Sequence, residues 1–116
     1  MNLAAILGNQ GRFEAALVSA RRAVELAPFD PTMWATLGNV LLWQQRADEA
    51  RAAFARTLEL RPRDIEGWLG LGQADVALGR QARAIPSFER ALARARERSP
   101  GRVPAIQAEL DRVLGR

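Results

Sequence analysis

The sequence predicts an all-α fold, a stack of about three antiparallel helix pairs closed by one further helix. Three observations predict it. Apolar residues recur at steps of three and four, and no run alternates with period two. Ala, Leu, Arg and Glu dominate a composition that is 48% apolar, enough for a core. One constellation is written twice at a 34-residue interval: Trp34-x2-Leu37-Gly38-x2-Leu41 with Ala50-x3-Phe54 and Pro62, then Trp68-x2-Leu71-Gly72 with Ala84-x3-Phe88. A unit of this kind holds two helices and cannot bury its apolar stripe alone, so copies must cover one another.

The central unit is 31–64. Asp30 is a good N-cap, and Pro31 suits the first helical position, where no N–H bond is lost. The first helix should run from Pro31 to Gln44, with Trp34, Leu37, Gly38 and Leu41 on one stripe. The second should run from Ala47 to Leu60, with Ala50, Phe54, Thr57 and Leu58 facing in and Pro62 stopping it. Gly38 and Ala50 are small because two helices approach closely there.

The third unit is 65–98. Asp64 caps it, Trp68, Leu71, Gly72, Ala84, Phe88 and Ala91 repeat the markers, and Gly79-Arg80 makes the turn. The first unit, 1–30, is shorter. Leu3 and Leu7 fall on its first-helix stripe, Gly11 in its turn, Ala16 and Ala23 in the second-helix core, and Pro28 at the stop. Its tryptophan position would fall before Met1, so the first turn of that helix is missing. Residues 99–116 form a tail. Ser99-Pro100-Gly101 breaks the chain, and Pro104 can open a last helix. Ile106, Leu110, Val113 and Leu114 share one face of it, and Gln107, Glu109, Asp111 and Arg112 the polar side.

With Trp, Leu-Gly, Ala and Phe in register twice, the chain from Leu3 to Arg98 resembles the tetratricopeptide repeat family. The resemblance implies an α-solenoid, a right-handed superhelical stack spanning 1–98, with 99–116 as its capping helix. It also implies a protein-interaction scaffold. Against the family pattern, Asp75 stands where a large aromatic or Leu is usual, and Pro86 lies inside the second helix. Arg94 replaces a Leu and Arg96 the closing proline, so that helix should run on to Arg98. A buried Asp75 would need a counter-ion. Arg112 on the tail helix is one candidate, and a wet site left open by the tail is the other reading.

In such arrays ligands lie against the first helices, on the concave face. The resemblance places Thr32, Ala35, Asn39, Leu42 and Trp43 there in the second unit, and Glu66, Leu69, Gln73, Val76 and Ala77 in the third. Trp43 lies off the core stripe. Either it anchors a bound segment, as exposed Trp does at binding hot spots, or it folds onto unit one or its own turn. Asn39 either bonds a ligand backbone or is solvated. A subclass of the family grips chaperone tails by a basic clamp whose positions fall here on Met1, Ala5, Asn39, Glu66 and Gly70. Only Asn39 matches, and Glu66 has the wrong sign, so that mode of binding is not expected.

Catalysis finds little support. The chain has no His, Cys, Lys or Tyr, which removes Ser-His and Cys-His pairs, ordinary zinc and haem sites, and Schiff-base chemistry. Ser19, Ser87 and Ser99 have no base at a suggestive spacing. Gly70-x-Gly72-x-x-Asp75 lacks the third glycine of a dinucleotide fingerprint and lies inside a helix. No enzyme activity, cofactor or metal is expected.

The net charge of +4 is uneven: residues 80–116 hold nine Arg against four acids. Arg83, Arg90, Arg94 and Arg98 lie at helical spacing. Such a stripe is a solvated face or a surface for an acidic or phosphate-bearing partner, with the solvated reading favoured. No aromatic is interleaved with it, which argues against nucleic acid. No apolar run reaches the roughly 20 residues of a membrane helix. Met1 to Gln10 has no positive n-region and only a short apolar run, so no signal peptide is expected, and a cytoplasmic place is. The expected partner is a protein or peptide segment. An alternative is end-to-end self-association through the uncovered flank of Leu3, Ile6 and Leu7.

Overall fold

The computed structural model describes residues 2–116. It contains α1 (Leu3–Asn9), α2 (Phe13–Leu26), α3 (Pro31–Trp43), α4 (Ala47–Leu60), α5 (Ile65–Ala77), α6 (Gln81–Arg98) and α7 (Val103–Leu114), with a 3-10 turn at Pro100–Arg102 before α7. No strand occurs among the described residues. Helices α1 and α2, α3 and α4, and α5 and α6 pair as antiparallel hairpins. Each following pair lays its first helix on the second helix of the pair before, and α7 does the same on α6. The result is an α-solenoid.

Local chemistry sets the helix limits. Asp30 Oδ1 accepts from the Thr32 N–H at 2.9 Å, and Asp64 Oδ1 from the Gly67 N–H at 2.9 Å. Both aspartates thus satisfy helix-end donors that would otherwise lack partners. The expected span of α4 is met; α3 stops one residue early, with Gln44 as its C-cap. Helix α6 runs on to Arg98 through Pro86. That proline lies on the exposed side, so the Ala82 carbonyl it leaves without an N–H donor faces water. The turns within the hairpins use left-handed backbone at Gly11, Gln45 and Gly79.

The two marker tryptophans occupy equivalent niches. Trp34 Nε1 donates to the Pro28 carbonyl at 2.8 Å, and Trp68 Nε1 to the Pro62 carbonyl at 2.9 Å. Each indole therefore ties its helix to the stop of the preceding unit. A Cβ on Gly38 would stand 2.7 Å from the Phe54 ring, so the glycine is what lets α3 approach α4.

The buried residues form two clusters. One joins α1 to α4 around Leu7, Leu17, Leu37, Leu41 and Phe54, and the other joins α5 to α7 around Phe88, Leu92, Ile106 and Leu110. Between them lies Asp75, and both expectations for it fail. The site is dry, with Asp75 1% exposed, and its partner is Arg51, whose Nε donates to Oδ1 at 2.9 Å. Helix α4 packs directly on α5, whereas Arg112 lies exposed on α7. The tail docks through Ile106, Leu110 and Val113 as expected, but Leu114 is exposed because the cluster ends at Val113.

Candidate functional site: the row of first helices

Helices α1, α3, α5 and α7 stand in one row, and polar side chains tie α1 to α3 and α5 to the tail. Asn2 Nδ2 donates to Thr36 Oγ1 at 3.0 Å, from α1's cap to α3. Gln73 Nε2 donates to the Glu109 carboxylate at 3.1 and 3.3 Å, from α5 to α7. Arg102, just before α7, forms an ion pair with Glu66. The tail helix is therefore the last member of the row, where a further unit would place its own first helix.

The residues expected on this face divide into three groups. Ala35 and Leu69 are buried in the first and second core clusters. Glu66 and Gln73 are held by the tail. Thr32, Asn39, Leu42, Trp43, Val76 and Ala77 remain half-buried or exposed. Asn39 makes no side-chain hydrogen bond to any described residue. Met1, one position of the clamp pattern, lies outside the described residues; Ala5 and Gly70 carry no charge there.

Trp43 combines features of both its readings. Its ring lies over Gly8 of α1, where a methyl group would overlap it, and its centroid is 6.0 Å from that of Phe13. It is thus a packing element between the first two hairpins. It nonetheless remains 39% exposed, so one edge of the indole faces solvent.

Along the edge of the row, three depressions recur with the repeat. The first, of about 420 Å³, is lined by Gly11, Phe13, Glu14, Gln44 and Arg46. The second, of about 530 Å³, is lined by Leu42, Gln45, Arg46, Asp48, Ala77 and Leu78 among others. The third, of about 390 Å³, lies between the last pair and the tail and is lined by Gln73, Val76, Gln81, Phe88, Glu109, Arg112 and Val113. Glu109, Arg112 and Val113 were not foreseen on this face. The spacing from Gln73 to Glu109, two residues beyond one repeat, was the signal that could have found them.

Among the described residues no group of three acidic, His or Cys side chains comes together as a metal site. No helix is long and apolar enough to cross a membrane.

Comparisons agree with this geometry. No curated protein matches the chain. Among solved structures, the TPR2B domain of yeast Sti1 in its pHsp70 complex superposes with a TM-score of 0.90 at 16% identity, covering 97% of this chain and 90% of that one. PcrH in complex with the chaperone binding region of PopD gives 0.88 at 16% identity, covering 97% and 86%. The Yersinia enterocolitica type III secretion translocator chaperone SycD gives 0.86 at 14% identity, covering 96% and 78%. At these identities the likeness is one of fold. Family models described as tetratricopeptide repeat match residues 29–97 and 1–27, and the chain belongs to the tetratricopeptide repeat family.

Proposed function

We propose that this protein is a cytoplasmic, non-catalytic adaptor. It holds a segment of a partner protein, extended or helical, against the row of first helices. The repeats divide as 1–30, 31–64 and 65–98, with 99–116 as the cap. The partner lies over Thr32, Asn39, Leu42, Trp43, Val76 and Ala77, on a floor of Ala35 and Leu69. Glu66, Gln73, Glu109, Arg112 and Val113 form its last wall.

One observation carries this reading: the exposed edge of Trp43 and the unbonded amide of Asn39 lie on the same helix face, beside half-buried Leu42. Covering apolar area contributes roughly 25 cal/mol per Å², and the amide sets register on a backbone. The Sti1 and PcrH structures are complexes with partner segments, which supports the mode of use. A clamp on a chaperone tail is not proposed. Of its polar positions only Asn39 matches, and the charge at Glu66 is already paired with Arg102.

The test is site-specific photocrosslinking. A crosslinking residue at Ala77, on the groove, should capture a partner segment that the same residue at exposed Ala52, on α4, does not. Equal capture at both positions, or capture at Ala52 alone, would remove the groove from the proposal.

A second reading has an observation of its own. Leu3 is 59% exposed, whereas Leu37, its counterpart one repeat on, is buried. With half-buried Ile6 it gives α1 a flank on which a second copy could stack, whereas Leu7, expected on the same flank, is buried in the first cluster. Light scattering decides this. A mass that rises with concentration, and no longer does so in Leu3→Arg, supports self-association; a monomer throughout excludes it.

A further inference from the structure

Away from the groove, the outer face of α6 meets the α4–α5 loop in a notch of about 170 Å³, lined by Pro62, Arg63, Trp68, Arg90, Arg94 and Glu97. Three guanidinium groups converge there. Arg63 Nη2 donates to Glu97 Oε2 at 2.7 Å, and Arg94 Nη1 donates to the same oxygen at 3.3 Å. Arg90 has no acid among the described residues. Its guanidinium carbon stands 4.8 Å from the centroid of the Trp68 ring instead. Three cations against one carboxylate leave the notch with a net charge of +2.

This charge is not a property of the repeat. One unit earlier, Phe29, Leu60 and Arg63 occupy the places of Arg63, Arg94 and Glu97. Only Arg56 matches Arg90 in kind. The core does not require Arg63, whose side chain is mostly exposed. Like charges gathered at one point oppose folding, so a local excess that packing does not explain points to an outside counter-charge.

We propose that this notch is a seat for a phosphate monoester carried on a side chain of a partner protein. A phosphorylated side chain brings a charge of about −1.5 to −2 at neutral pH, which matches the excess. Its oxygens suit the forked donors of arginine. The phosphate takes the place of the Glu97 carboxylate between Arg63 and Arg94, and Arg90 closes on it from above Trp68. A nucleic-acid strand fits less well. The notch is a single point rather than a track. Within the notch Arg90 covers the Trp68 ring and the indole N–H is bonded to the Pro62 carbonyl, so no open aromatic face is left there for a base. The seat is separate from the groove, so neither reading depends on the other.

The experiment is a titration of the folded protein at fixed ionic strength, following the Trp68 indole N–H by NMR. Three probes are compared: inorganic phosphate, N-acetyl-phosphoserine amide and a short oligouridylate. Phosphoserine amide should give saturable shifts at Trp68. Binding should weaken about tenfold in Arg90→Gln, the loss expected for one charge-assisted hydrogen bond, and change less than about twofold in Arg83→Gln. Glu97→Gln removes the resident acid and should tighten binding, which keeps the test independent of any variant that only loses charge. Several results would overturn the proposal. These are no saturable shift at Trp68, an equal loss in Arg83→Gln, or no gain in Glu97→Gln. Binding of inorganic phosphate alone, or tighter binding of oligouridylate than of the monoester, would do the same.

Discussion

Arg51 Nε and Asp75 Oδ1 lie 2.9 Å apart across the seam between α4 and α5, and this ion pair stands where the preceding seam has an apolar one. One repeat earlier the same two positions are Leu17 and Leu41, both buried. The solenoid therefore joins its second and third hairpins through a charge and its first and second through two leucines. Asp75 is 1% exposed and Arg51 37%, so the carboxylate depends on this partner for its solvation.

Arg51→Ala should cost about 3 kcal/mol, near the lower end for breaking a buried pair, because Arg51 keeps some contact with water. The double variant Arg51→Leu with Asp75→Leu copies the preceding seam and should recover most of that loss. Urea denaturation of the two variants and the wild type checks this. A double variant as unstable as the single one would mean that the seam is not interchangeable with its neighbour.

Glycines on α5 should differ by what lies opposite them. A Cβ on Gly70 would overlap the Phe54 ring, whereas one on Gly72 would stand 3.1 Å from Phe88. Both substitutions to Ala gain helix propensity, about 1 kcal/mol. Gly70→Ala should nonetheless lose about 1–3 kcal/mol from overpacking. Gly72→Ala should stay within about 1 kcal/mol of wild type. Thermal melts of the pair give the comparison, and a reversed order would contradict the packing.

Trp43→Ala should destabilise by about 2 kcal/mol, less than the about 3–5 kcal/mol of a fully buried aromatic. The loss should appear first as faster hydrogen exchange in α1, because the indole rests on Gly8. Loss of partner binding in this variant therefore has to be read beside its stability, which is why the crosslinking test uses Ala77. Unchanged exchange in α1 would show that the ring does not hold the first hairpin.

Ile106→Ala should cost about 2–5 kcal/mol, since its side chain is buried against α6. Leu114→Ala, on the same helix but beyond the cluster, should change stability by less than about 0.5 kcal/mol. Chemical denaturation of both variants tests whether α7 is docked as a cap. Equal small effects would mean that it is not.

Much of the fold was legible because its signals are local. Asp30 and Asp64 cap helices through bonds two and three residues away, and the tryptophans reach carbonyls six residues back. The candidate groove was legible only as a set of positions. Ala35 and Leu69 are buried in the core, Glu66 and Gln73 are engaged by the tail, and the tail's own contribution went unseen. Charge alone led toward Arg112 for Asp75, because composition names possible partners without saying which helix stands opposite. Mapping Leu17 and Leu41 forward by one repeat would have named Arg51.

The sequence by itself determined the hairpin interval, most of the buried stripe of the helices, the stops and the family, but not the exposure of Leu3 and Leu114 at the two ends. These follow from turns, caps and periodicity within about one helical turn to one hairpin. Only the tertiary structure decided that Asp75 takes Arg51, that Trp43 rests on Gly8, and that α7 completes the row. Each of these is a meeting of side chains from different helices. It depends on how far one helix slides and rolls on the next, a variable that periodicity along a single helix does not contain.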